Sequence, residues 1–167
     1  MLFQCAFLPV LLFFTSAFGQ YREPVSELCL GCICEASSNC DRSLGCEGGL
    51  CGLFKITQPY WIDANKPTIP LDNPHAEGAY ERCSTDSVCA AETVKNYMAR
   101  FAQDCNNDGR IDCSDYAAIH RLGGYGCQGQ LDLKFGQTFR ACQSQVQSLS
   151  PSIDVRSGNS AADIFKK

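Results

Sequence analysis

Between residues 86 and 103 the apolar positions fall into a helical rhythm. Val94, Tyr97, Met98 and Phe101 recur at i, i+3, i+4 and i+7, so one face of a helix would carry all four. Asp86 stands where an N-cap is wanted, Glu92 lies early, and Lys95 and Arg100 lie late, the order the helix dipole favours. A second, shorter helix is predicted from Ser114 to Leu122, capped by Ser114 and stopped by Gly123-Gly124. Residues 51–63 (CGLFKITQPYWID) mix aromatic and β-branched residues without that rhythm, and read as a strand running into a turn at Pro59. Residues 64–80 hold three prolines and no cysteine, the composition of an exposed loop. After Cys142 the chain turns polar, and residues 146–167 are expected to form a disordered tail.

The first nineteen residues, MLFQCAFLPVLLFFTSAFG, are apolar in another way: nearly unbroken, at the very start, and too short to span a bilayer. They end in Ala17-Phe18-Gly19, a small-x-small pattern, and are read as a signal peptide over 1–19. The expectation is a secreted, extracellular protein with no membrane span in the mature chain and one domain over 20–145.

Cysteine usage agrees with that compartment. Thirteen are present, and Cys5 falls in the leader. The others are Cys29, Cys32, Cys34, Cys40, Cys46, Cys51, Cys83, Cys89, Cys105, Cys113, Cys127 and Cys142, an even set that predicts six bridges of undetermined pairing. Zinc is the competing use, but no CxxC pairs with another, and the two histidines, His75 and His120, stand far from the clustered cysteines. A net charge of -4 argues against a nucleic-acid partner. Phe54, Tyr60 and Trp61 read first as core, since aromatic residues in small domains fill space.

Between the two predicted helices lies DCNNDGRIDCSD, residues 104–115. Against the twelve-residue calcium loop, Asp104, Asn106 and Asp108 take positions 1, 3 and 5, with Gly109 at the sharp turn. The backbone carbonyl of Arg110 takes 7, Asp112 takes 9 and Asp115 takes 12. Calcium is therefore a candidate ligand. Position 12 is Asp and not the longer Glu, the loop is single, and Cys105 and Cys113 could fix the same shape with Asp and Asn as turn formers.

Several stretches carry a resemblance. Cys29-Leu30-Gly31-Cys32-Ile33-Cys34, Cys51-Gly52-Leu53-Phe54 followed by Ile56, and Pro59-Tyr60-Trp61-Ile62-Asp63 resemble the invertebrate-type lysozymes, which include the destabilases. So do Asn96-Tyr97-Met98, Asp115-Tyr116-Ala117 with His120, and Gly124-Tyr125-Gly126-Cys127. The resemblance implies an α+β, mainly α, disulfide-rich lysozyme-like domain with a short β region and a helix-loop-helix. Its cleft would take peptidoglycan or another glycan, with Tyr60, Trp61 and His120 as cleft candidates and no cofactor required. The family chemistry is hydrolysis of β-1,4 glycosidic bonds, and some members cleave isopeptide bonds.

Glycoside hydrolysis needs two carboxyl groups, one to protonate the leaving oxygen and one to answer the oxocarbenium charge. In the family pattern C-x-C-x-x-E-S-G-C the acid falls on Ser37 here, and a hydroxyl cannot replace it. The second family carboxylate is an Asp ahead of C-G-x-F, but only Glu47-Gly48-Gly49-Leu50 separates Cys46 from Cys51. The usual Gln before Ile is Lys55. Glu35 and Glu47 are the remaining carboxylates nearby. Glu35 sits two residues before the acid position, about 200° around a helix, which would turn it to the opposite face. The expected function is thus a lysozyme-like protein with weak or absent hydrolysis, leaving glycan or partner binding. The alternatives are an active muramidase using Glu35 and Glu47, or an isopeptidase with Ser37 or Ser38 as nucleophile and Lys55 or His120 as base.

Overall fold

The computed structural model describes residues 21, 22 and 25–149, so the predicted leader and the end of the predicted tail lie outside the described residues. The elements in chain order are β1 (Tyr21–Arg22), α1 (Glu27–Ser38), β2 (Cys46–Glu47), β3 (Leu50–Cys51), α2 (Gln58–Asp63), α3 (Ala79–Thr85), α4 (Ser87–Phe101), β4 (Arg110–Ile111), α5 (Cys113–Leu122) and α6 (Leu133–Leu149). Helices dominate, and the β structure is two small pairs: β1 with β4 in parallel, β2 with β3 antiparallel. None of the described helices is long and apolar enough to cross a membrane.

α1 is the central strut. The Ser26 hydroxyl accepts the N–H of Cys29 at 3.1 Å, and Asn39 closes the other end in the left-handed conformation, φ 61°. Its buried stripe of Cys29, Leu30, Ile33 and Cys34 follows the i, i+4 spacing and packs chiefly on α6. Disulfides reinforce that packing, with Cys29 bridged to Cys113 in α5 and Cys32 to Cys142 in α6. These bridges close loops of 84 and 110 residues, each worth about 4–5 kcal/mol in chain-entropy terms. The other four are Cys34–Cys40, Cys46–Cys51, Cys83–Cys89 and Cys105–Cys127, so all twelve cysteines of the expected set are paired and none remains for zinc.

The helix expected over 86–103 is α4, and Asp86 caps it by accepting the N–H groups of Val88 and Cys89 at 3.1 and 2.8 Å. Four local expectations change. The strand expected over 51–63 shrinks to Leu50–Cys51 and a bridge between Cys51 and Ile56, and Pro59 opens α2. A proline in the first helical turn forfeits no hydrogen bond, and Thr57 supplies the cap. The cap of α5 is Asp112 and not Ser114: Asp112 accepts the N–H of Ser114, while Asp115 reaches back to the N–H of Asp112 at 2.8 Å, a reciprocal capping box. Tyr80, at the end of the expected exposed loop, is buried in α3, its hydroxyl donating to the Ile56 carbonyl at 2.6 Å. Residues up to Leu149 belong to α6, so helix replaces tail at 146–149, where half-buried Val146 extends the stripe of Phe135, Phe139 and Cys142.

Candidate functional site

Where α1 ends, a groove opens around its last turn. One lobe, of about 310 Å³, is bounded by Glu35, Ser37 and Ser38 of α1, by Lys55, and by Lys134 and Thr138 of α6. An adjoining lobe of about 570 Å³ is bounded by Gly45, Glu47, Leu50 and Gly52 of the β2–β3 hairpin and its flanks. Leu44 and Lys55 line both. The hairpin is tight. Cys46 pairs with Cys51 and Glu47 with Leu50, and Gly48 and Gly49, at φ 59° and 80°, form the two-residue turn. Positive φ at both central positions is what such a turn demands, and glycine meets it without strain.

Ser37 is bound into a chain of hydrogen bonds. Its hydroxyl donates to the Ile33 carbonyl at 2.7 Å, one turn back. His120 Nε2 lies 3.0 Å from the Phe54 carbonyl and 3.3 Å from Ser37 Oγ, and Nδ1 lies 3.1 Å from the Tyr60 hydroxyl. A carbonyl only accepts, so Nε2 carries the proton and Nδ1 takes the Tyr60 O–H, a tautomer assigned from these partners. Burial pushes the imidazole down to about 4; the Phe54 carbonyl opposes that shift and the Arg121 charge adds to it. Burial also drives the Tyr60 phenol well above its ordinary value, with Tyr97 adding to it.

Ser37 and His120 are thus brought together with the protons running the wrong way for base-assisted attack. Nε2 donates, and the serine proton is already given to Ile33. Ser38 is engaged too, donating to the Leu53 carbonyl at 2.6 Å. Lys55 lines the groove beside both serines.

Glu35 and Ser37 both line the first lobe, although α1 sets them about 200° apart as expected. The cavity wraps the end of the helix, so residues half a turn apart both reach it. Glu47 lines the other lobe, and both carboxylates are exposed. Tyr60 and Trp61 are core residues and do not line the groove. The Tyr60 ring stacks on Tyr97 at 3.6 Å, and Trp61 Nε1 donates to the Pro67 carbonyl at 2.7 Å. Lys134 and Thr138 escaped the sequence reading because α6 did; the spacing of Phe135, Phe139 and Cys142 was the available signal.

The 104–115 loop is closed by its own donors. Asp104 accepts the N–H groups of Asp108 and Gly109 at 3.2 and 2.8 Å, and Asp108 accepts that of Arg110 at 2.9 Å. Asn106 accepts from Asp108 N–H at 3.0 Å, and Asp112 caps α5. Asp115 is buried, taking the N–H of Cys105 and of Asp112 at 2.8 Å each. Burial pushes its carboxyl up against the pull of those two N–H groups. Among the described residues no three His, Cys, Asp or Glu side chains gather as a metal site.

Residues 26–142 match the family model described as Destabilase. An invertebrate-type lysozyme of Ruditapes philippinarum is 35% identical over 115 residues, 66% of this chain and 76% of that protein. A lysozyme of Meretrix lusoria is 37% identical over 108 residues, 62% of this chain and 79% of the relative. The crystal structure of Tapes japonica lysozyme superposes with a TM-score of 0.52 at 29% identity, covering 71% of this chain and 88% of that one. The crystal structure of Aeromonas hydrophila PliI in complex with Meretrix lusoria lysozyme gives 0.55 at 28% identity, covering 70% and 88%. With its helical fold, its six bridges and the groove at the end of α1, the chain belongs to the destabilase family, the invertebrate-type lysozymes.

Proposed function

We propose that this is a secreted lysozyme-like protein that binds bacterial peptidoglycan or a related glycan in the groove at the end of α1 and hydrolyses it weakly or not at all. The observation that carries the proposal is the state of Ser37. At the position of the family's acid stands a hydroxyl whose proton is given to Ile33 and whose oxygen faces an Nε2–H of His120. The opposing carboxylate has no place either, since the Cys46–Cys51 segment is a hairpin with a Gly48-Gly49 turn. Loss of general acid catalysis alone costs about 10² to 10⁴ in rate.

The second reading, an active muramidase using displaced carboxylates, is favoured by one observation: Glu35 and Glu47 line adjoining lobes of the groove. Neither has a side-chain hydrogen bond among the described residues that would hold it toward a glycosidic oxygen. Release of reducing ends from purified peptidoglycan separates the two, with Glu35→Gln and Glu47→Gln as controls. The expected result is retention on insoluble peptidoglycan with no release above background. Turnover abolished by either substitution would establish the muramidase instead.

A further inference from the structure

We infer that Lys55 makes the groove selective for saccharides bearing a carboxylate over neutral ones; this rests on the glycan-binding reading above. Three observations meet at this residue. Lys55 lines both lobes, so a saccharide running from one to the other passes its ammonium group. No Asp or Glu lies within ion-pair distance of it among the described residues, and the pairs Arg82–Asp72, Lys95–Glu27, Arg100–Asp63 and Arg121–Asp132 lie elsewhere. Its backbone is also held firmly. Lys55 N–H closes a turn on the Gly52 carbonyl at 3.0 Å, and a pair of hydrogen bonds between Cys51 and Ile56, 2.9 and 3.0 Å, brackets that turn. The two carbonyls before it are clamped as well, Leu53 by Ser38 and Phe54 by His120.

Lys55 itself has φ 51°, an uncommon conformation for a residue with a side chain. Strain of this kind persists where the surroundings over-determine it, and such places are often ligand clamps. A residue free to choose here would be glycine or asparagine; the chain instead sets a long cation on a fixed platform. Exposed at the groove, it can follow an anion while its base stays put.

The placement of charge agrees. The two lobes are lined by three carboxylates, Glu35, Asp41 and Glu47, and two ammonium groups, Lys55 and Lys134. The carboxylates are unevenly placed. Asp41 turns into its own loop, accepting the N–H and hydroxyl of Ser43 at 2.8 and 2.6 Å. Glu35 shares its lobe with Lys134, which balances it, and Glu47 lines only the second lobe. With Asp41 turned into its own loop and Glu35 balanced by Lys134, Lys55 leaves the groove able to accept a negative ligand.

The test is calorimetric titration of the full chain at low salt with two saccharides: the tetrasaccharide (GlcNAc–MurNAc)₂ with free carboxylates, and the same saccharide with those groups converted to amides. The acid form is expected to bind about five-fold more tightly, the upper range for a partly exposed ion pair. That preference should vanish in Lys55→Gln, which restores the family residue, and in about 0.5 M salt, where the Debye length shrinks below the reach of such a pair. An unchanged melting temperature for Lys55→Gln shows that the fold is kept. Equal binding of both forms by the wild type overturns the selectivity but leaves glycan binding standing. A preference that survives in Lys55→Gln removes the role of Lys55. Binding of neither form overturns the glycan-binding reading itself.

Discussion

At the scale of the residue, His120 joins three parts of the molecule: α5 by its backbone, α2 through Tyr60, and the Gly52–Lys55 turn through Phe54. Its pKa falls from an ordinary 6.5 to about 4 because the charged ring would lose its solvation. The sign of the consequence follows. Between those values the unfolded chain binds a proton that the folded chain refuses, so acid favours unfolding. The stability due to neutral His120 is complete above pH 6.5 and drains away as pH falls toward 4, by roughly 3 kcal/mol in all. Urea unfolding at pH 7.5 and pH 4.5 should show this loss in the wild type and a smaller one in His120→Gln, which cannot titrate. Equal losses in both chains would mean that the imidazole is not held neutral.

At the scale of the element, Asp115 illustrates what could and could not be read from residues alone. Its spacing from Asp104, Asn106 and Asp108 suits a calcium loop, but it is buried with each oxygen accepting an N–H of the fold, and among the described residues no three His, Cys, Asp or Glu side chains gather as a metal site. Sequence pattern reports where oxygen ligands could stand; it cannot report that a helix start has claimed them. Chelator and millimolar calcium should therefore leave the melting temperature unchanged, whereas Asp115→Ala should cost about 2–3 kcal/mol by leaving one buried and one half-buried N–H group unpaired. A rise in melting temperature on adding calcium would restore the metal reading. The same contrast runs through the helices. α4 was legible because Val94, Tyr97, Met98 and Phe101 repeat over a long window with a cap in front. α6 was not, because Phe135, Phe139 and Cys142 sit among Gly136, Gln137 and Arg140, and its stability comes from packing on α1 and from Cys32–Cys142. α2 was masked by β-branched neighbours and a proline whose meaning depends on which turn it occupies. The even cysteine count fixed the number of bridges, but only folding brings Cys32 to Cys142, 110 residues away. Of the groove, the α1 end and Lys55 were visible in the chain; its α6 wall was not.

At the scale of the whole molecule, the proposed loss of the two carboxylates would be one event and not two. A proton donor without an opposing anion leaves the oxocarbenium charge unanswered, and an anion without a donor leaves a poor leaving group. On that proposal, once either had gone the other was free to drift; in this chain Ser37 is built into the His120 network, and the hairpin turns on two glycines. Cys34–Cys40 and Cys46–Cys51 still pin the two walls of the groove, and α1 is still tied to α5 and α6. Restoration should accordingly be non-additive. Ser37→Glu alone is expected to leave reducing-end release from peptidoglycan at background while folding normally, since the end of α1 opens on a groove with room for the longer side chain. Replacing Glu47–Leu50 with a longer segment that carries an aspartate should be equally silent alone. Only the two changes together should yield turnover, with a bell-shaped pH dependence set by one protonated and one ionised carboxyl. Turnover from Ser37→Glu by itself would show that Glu47 or Glu35 already supplies the opposing charge, and that the groove had lost only its proton donor.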